Sequence, residues 1–228
     1  MSPNPNANTP WCTCLAPSSS TPTTGFAAPL TRLDLSALVE VGPLGRRWTF
    51  DELRESAHQV ARALLARFAP GERVAVWATN CLEWVLLERG AAYAGITLVT
   101  VNPAYQAEEL RHVLAQSRSS GVLVQDSYRG RDLLPVVAEA RVGLPQFAEV
   151  IALSVWDKIV ATGSETRALP TVAPGDPAQI QYTSGTTGLP KGAQLTHRGL
   201  VNVGRCDALA NGAGPGDVWV NPICKVVL

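Results

Sequence analysis

The sequence predicts an α/β fold in which mostly parallel sheets are flanked by helices, and three observations predict it. From residue 49 onward, short apolar runs of strand type alternate with stretches whose apolar residues recur at helical spacing. The runs are punctuated by Gly, Pro or Asn, which end one element before the next begins. Almost half of the 228 residues are apolar, enough to cover both faces of a sheet. Strands separated by helices need crossover connections, and crossovers make neighbouring strands parallel.

The first element opens on "TFDE", a capping box with Thr49 at the N-cap and Glu52 at N3. Leu53, Ala57, Val60, Ala61, Leu64 and Phe68 follow on one face, which leaves His58 on the solvated side. Pro70 and Gly71 end that helix, and "VAVW" at 74–77 reads as a short buried strand. Asn80 is placed to cap a second helix reaching about Ala94, apolar nearly all round and therefore buried, with Gly95 as its stop. The alternation continues through strand "TLVTV", helix "AEELRHVLAQS", strand "GVLVQ", a helical stretch around "DLLPVVAEAR" and strand "EVIAL". In "AEELRHVLAQS" the inward stripe is Leu110, Val113, Leu114 and Ser117, which puts His112 on the solvated side. Trp48, Trp77, Trp84, Trp156 and Trp219 are read as core residues. Residues 157–176 lose all periodicity and read as a surface connection to the strand "PAQIQYT".

Charge and cysteine content narrow the function classes. Nineteen Lys plus Arg balance nineteen Asp plus Glu, so the chain lacks the basic footprint of a nucleic-acid binder. Its expected partner is a small molecule or another protein. Five cysteines at 12, 14, 81, 206 and 224 form neither a disulfide framework nor a paired zinc motif, which favours a reducing cytoplasm. Cys81 falls where a helix N-terminus would lower a thiol pKa, yet no base stands near it in the sequence, and simple burial is expected. Residues 1–31 contain no charged side chain and are rich in Pro, Ser, Thr and Asn, a composition expected to stay outside the fold. They carry no basic segment followed by an apolar one, so no targeting signal is read there. No apolar run reaches the roughly 18 residues that a membrane-spanning helix requires.

The chemistry concentrates in "QYTSGTTGLPKGAQLTH" at 181–197. Gly185, Gly188 and Gly192 carry no Cβ, so backbone N–H groups can close around a bulky anion. Thr183, Ser184, Thr186 and Thr187 add hydroxyl donors, and Lys191 adds a positive charge suited to phosphate. Pro190 stiffens the backbone immediately before that lysine. A Walker loop is excluded, because it needs Ser or Thr after the lysine and Gly192 stands there. "AQLTH" reads instead as a second strand, and Thr196 caps a helix through "HRGLVNVGRCDALA", so the loop should join two strands.

"YTSGTTGLPKGAQLTH" resembles, nearly residue for residue, the phosphate-loop signature of the adenylate-forming enzymes, and the stretch upstream of it looks like the opening of their large N-terminal domain, most of all in the fatty-acyl-CoA synthetases. The resemblance runs from about residue 35 to 221 and includes "VNPAY" after the second strand of the core. It implies that Thr183, Ser184, Gly185, Thr186, Thr187, Gly188, Leu189, Pro190 and Lys191 contact ATP, and that Lys191 stabilises the departing pyrophosphate together with Mg2+. The implied reaction joins a carboxylic acid, a fatty acid by this likeness, to AMP and then passes the acyl group to coenzyme A. His197 matches a histidine that often follows the signature, and its position at a strand-to-helix junction argues for a structural role. "DVWVNP" at 217–222 fits the family, whereas 223–228 do not. Residues 32–228 are therefore expected to form a partial N-terminal AMP-binding domain, incomplete at its C-terminal side, with the lysine-bearing C-terminal domain absent. On that expectation these residues alone are nearly inactive, the activity belonging to the full-length enzyme, and the alternative to a ligase is a non-catalytic remnant that binds nucleotide weakly or only meets partners.

Overall fold

The computed structural model of the protein describes residues 38–41, 46–183 and 189–212. The segments 1–37, 42–45, 184–188 and 213–228 lie outside the described residues; the tail at 1–31, the centre of the glycine-rich loop, Trp219 and "DVWVNP" fall there.

Two strands, β1 (Leu38–Val41) and β2 (Arg46–Thr49), pair antiparallel ahead of the domain body, an element the sequence pattern does not signal. Helix α1 (Phe50–Leu65) starts as expected. Thr49 Oγ1 accepts the Glu52 amide at 3.1 Å, and the Glu52 carboxylate accepts the Thr49 amide at 2.8 Å. Strand β3 (Arg73–Trp77) and helix α2 (Leu82–Ala94) follow. The N-cap of α2 is Cys81, one residue later than the asparagine predicted, and it caps without a side-chain hydrogen bond. Gly95 ends α2 in the left-handed region at φ 67°, a conformation that favours glycine.

Strand β4 (Thr97–Thr100), helix α3 (Ala107–Ser117) and strand β5 (Gly121–Val124) repeat the unit, with Leu110, Val113, Leu114 and Ser117 buried on α3 as the spacing predicts. A two-residue ribbon, β6 (Ser127–Tyr128) with β7 (Arg131–Asp132), precedes α4 (Leu134–Ala140). Pro135 lies in the first turn of α4, where no intrahelical amide partner is lost. After β8 (Glu149–Ala152) and a 3-10 turn comes α5 (Trp156–Val160), so the connection read as irregular from 157 contains a short helix. The chain ends its described course with β9 (Pro177–Thr183), β10 (Lys191–Thr196) and α6 (His197–Ala210).

The main sheet has six strands in the order β10-β9-β4-β3-β5-β8. All its pairings are parallel except β10 with β9. Alternate side chains of the central strands feed two cores, one on each face. Val74, Val76, Leu98, Leu123 and Ile151 pack with α1, α2 and α5; Ala75, Trp77, Val99, Val122, Val124 and Tyr182 pack with α3 and α4. Trp77 and Trp84 are fully buried, and Trp48 and Trp156 pack at the margin of the first core. Each fully buried Leu or Val contributes on the order of 1.5–3 kcal/mol, so this doubly covered sheet is the stable part of the molecule.

Two histidines differ from expectation. His58 is half-buried, edge-on to the Tyr93 ring with centroids 4.4 Å apart, because α2 packs along α1 on that side. His112 is half-buried as well, for a reason that belongs to the site.

Candidate functional site

The glycine-rich loop leaves the C-terminal end of β9 and returns as β10, so it is a hairpin connection laid onto a parallel sheet. Its first ladder pair is Lys191 with Thr183, followed by Gly192 with Tyr182. Because β9 runs parallel to β4, and β4 to β3, the loop opens at the same sheet edge as the turns that follow Thr100 and Trp77. That edge, outside the carboxyl ends of the strands, is where open α/β sheets bind their ligands. The "VNPAY" turn stands there too and is held firmly. Trp77 Nε1 donates to the Asn102 carbonyl at 2.8 Å, the Ala104 amide donates to Asn102 Oδ1 at 2.9 Å, and the Arg131 guanidinium donates to the Tyr105 and Pro103 carbonyls at 2.8 and 3.3 Å.

Of the nine residues predicted to contact nucleotide, Thr183, Leu189, Pro190 and Lys191 are described, and Ser184, Gly185, Thr186, Thr187 and Gly188 lie outside the described residues. Thr183, Leu189 and Lys191 are exposed, while Pro190 is buried. Among the described residues the Lys191 ammonium has no hydrogen-bond or ion-pair partner, so its charge is available to an incoming anion.

Gly192 also has a packing reason to be glycine. A Cβ there would stand 2.9 Å from Tyr182 Cζ and 3.0 Å from Ile180 Cγ2, so the residue is glycine because the Tyr182 ring crosses beneath it. The Tyr182 hydroxyl donates to the Val113 carbonyl of α3 at 3.5 Å, and burial raises its pKa. The neighbouring residue of α3 reaches the other arm. His112 Nε2 lies 3.1 Å from the Pro190 carbonyl, a contact the helical pattern does not reveal. A carbonyl can only accept, so His112 carries its proton on Nε2 here.

Thr196 caps α6 as predicted, its Oγ1 accepting the Gly199 amide at 3.1 Å. His197 follows it, fully buried, with its pKa lowered chiefly by burial and partly restored by Asp176. An imidazole without solvent access at a helix start fits the structural role expected. Cys81, for its part, has its thiol pushed up to about 12, mainly by burial, so the helix N-terminus does not activate it. Among the described residues no group of three His, Cys, Asp or Glu side chains is placed to hold a metal ion, and no helix is long and apolar enough to cross a membrane.

A mostly parallel sheet covered on both faces, with a hydroxyl- and glycine-rich hairpin loop at its carboxyl edge, defines the class of adenylate-forming domains. The family model for the AMP-binding enzymes matches residues 26–223, and the chain belongs to that family. Over 184 residues it is 35% identical to the human "Medium-chain acyl-CoA ligase ACSF2, mitochondrial", an alignment covering 68% of this chain and 30% of that protein. Among solved structures, apo MatB from Rhodopseudomonas palustris superposes with a TM-score of 0.75 at 28% identity, over 88% of this chain and 40% of MatB. The inhibitor-bound N-terminal domain of FACL13 from Mycobacterium tuberculosis superposes with a TM-score of 0.67 at 26% identity, over 76% of this chain and 44% of that one. The chain spans about a third of the length of the curated relatives it matches.

Proposed function

We propose that these residues form the phosphate-binding part of an ATP-dependent acid–thiol ligase that converts a fatty acid to its acyl-CoA. The observation that carries the reading is the β9–β10 hairpin at the carboxyl edge of the sheet, with Lys191 exposed at its outgoing limb and uncommitted among the described residues. Attack of a carboxylate oxygen on the α-phosphorus of ATP forms the acyl-adenylate and releases pyrophosphate. Negative charge grows on the departing group, and a preplaced ammonium with hydroxyl and amide donors stabilises it there more than in the ground state. Thr183, Ser184, Gly185, Thr186, Thr187, Gly188, Leu189, Pro190 and Lys191 are the proposed contacts. Mg2+ would arrive on the ATP phosphates, and coenzyme A would take the acyl group in a second step. Supporting the acid and thiol are the names of the relatives, among them the human medium-chain acyl-CoA ligase and a putative acyl-CoA synthetase of Bacillus subtilis.

Residues 32–228 are proposed as part of the large AMP-binding domain, with 1–31 as a tail outside it. A cytoplasmic location is proposed from the cysteine content, and the word "mitochondrial" in the name of the human relative makes cell fractionation the direct check.

ATP–pyrophosphate exchange, measured with a panel of medium- to long-chain fatty acids, tests the activity. Lys191→Ala is expected to abolish exchange while leaving the melting temperature in place, since the side chain supports nothing in the described fold. Unchanged exchange in that variant refutes the role of the lysine. Exchange at background in the wild-type protein would favour the remnant reading, leaving at most nucleotide binding.

A further inference from the structure

Helix α3 touches both arms of the loop through consecutive residues: the Val113 carbonyl accepts from Tyr182 on β9, and His112 reaches Pro190 at the start of β10. We propose that His112 is a positioning residue for the loop, holding the Pro190 carbonyl and thereby fixing where Lys191 enters the ladder and presents its charge. The inference rests on the reading of the loop as a phosphate cradle.

Four observations support it. Pro190 has no N–H, and Lys191 opposite Thr183 is the first ladder pair, so the Pro190 carbonyl is the last backbone group before β10 that an outside donor can pin. The hydrogen bond spans 78 residues of sequence and ties the loop to an element already fixed on the core by Leu110, Val113 and Leu114. The helix does not depend on His112 for its own packing, since the imidazole stands outside that inward stripe. At the helix start, the Gln106 amide donates to Glu109 at 2.9 Å and Arg131 donates to the Gln106 side chain at 2.5 Å, so the support behind His112 is itself braced. A long, flexible lysine delivers its ammonium reproducibly only if its backbone origin is fixed, and a cradle gains from donors placed before the anion arrives.

The test is calorimetric titration of the protein with Mg·ATP and, separately, with pyrophosphate, in the wild type, Lys191→Ala, His112→Leu and His112→Gln. Loss of one hydrogen bond that orders the site should weaken both ligands by roughly tenfold in His112→Leu, at an unchanged melting temperature. His112→Gln, whose terminal N–H can reach the same carbonyl, should return affinity to within about threefold of wild type. His112→Met serves as the donor-free variant if the leucine protein does not fold. Hydrogen exchange at the amides of 191–193 should speed up in the donor-free variant and not in His112→Gln. If wild type binds both probes, Lys191→Ala removes binding and His112→Leu binds as well as wild type, the positioning role is overturned and the cradle stands. A glutamine variant as weak as the leucine one overturns the positioning role in the same way. If wild type binds neither probe, the cradle reading falls and takes the positioning role with it.

Discussion

The centre of the sheet and its β9–β10 margin are built by opposite rules. Strands β4 and β5 bury every residue and β3 all but its first, and their sequences, "TLVT", "GVLV" and "RVAVW", are nearly continuous apolar runs, as two-sided burial demands. Strand β10 reads "KGAQLT" and exposes its first four residues, in reverse orientation, at the edge of the same sheet. In the centre, side chains are chosen to exclude water, and a change is felt through volume. Along β10 they are chosen to leave donors facing water, and its closest approach to the core is where the Tyr182 ring of the largely buried β9 passes under Gly192. Stability and chemistry are therefore carried by separate residues of one sheet.

That separation can be broken from either side. Leu123→Ala, in fully buried β5, should cost about 2–5 kcal/mol through lost burial and a cavity, read as a lower urea midpoint, with any ligand binding falling only as folded protein is lost. Gly192→Ala at the margin should cost less, about 1–3 kcal/mol, since the new methyl must displace the Tyr182 ring. Pairing it with Tyr182→Ala should recover part of that loss, and strict additivity of the two substitutions would refute the steric account.

A smaller effect concerns protons. His58 on α1 and His197 beside the hairpin both have pKa values lowered by burial. In the unfolded chain they titrate near the ordinary value of about 6.5, so between their folded pKa values and that point the unfolded state holds more protons. Their contribution is complete above about pH 6.5 and declines as the pH falls toward the folded values. Urea midpoints should accordingly drop between pH 7.5 and 5.5, and His197→Gln should flatten the slope. A slope unaffected by that substitution would show that His58 or other groups carry it.

Much of this architecture is legible in the sequence. Thr49 with Glu52, Thr196 before α6 and the inward stripe of α3 are local signals, and local chemistry decides them. The turn between β6 and β7 carries a weaker one: Arg129 and Gly130 both take positive φ, at 50° and 78°, as two-residue hairpin turns require. Arginine is not among the residues favoured there, which is why "YRGR" does not stand out. The five residues of α5 are too few to show a period. A helical wheel assigns His112 to solvent because it knows only its own helix; the Pro190 carbonyl arrives from 78 residues away. Of the site, its place between two strands is legible, and its support from α3 is not.

The reversal of β10 also bears on the order in which the molecule assembles. Strand β9 must find β4 across about 80 residues of chain, Leu98 against Gln179, and closing so long a loop is an entropic obstacle that slows docking. Its pairing with β10 closes over only a few residues, and hairpins form within about 1–10 μs. The β9–β10 arm can thus fold as a local unit while its long-range partner is still being sought. A parallel β10 would have required a crossover of a dozen or more residues and surrendered that head start.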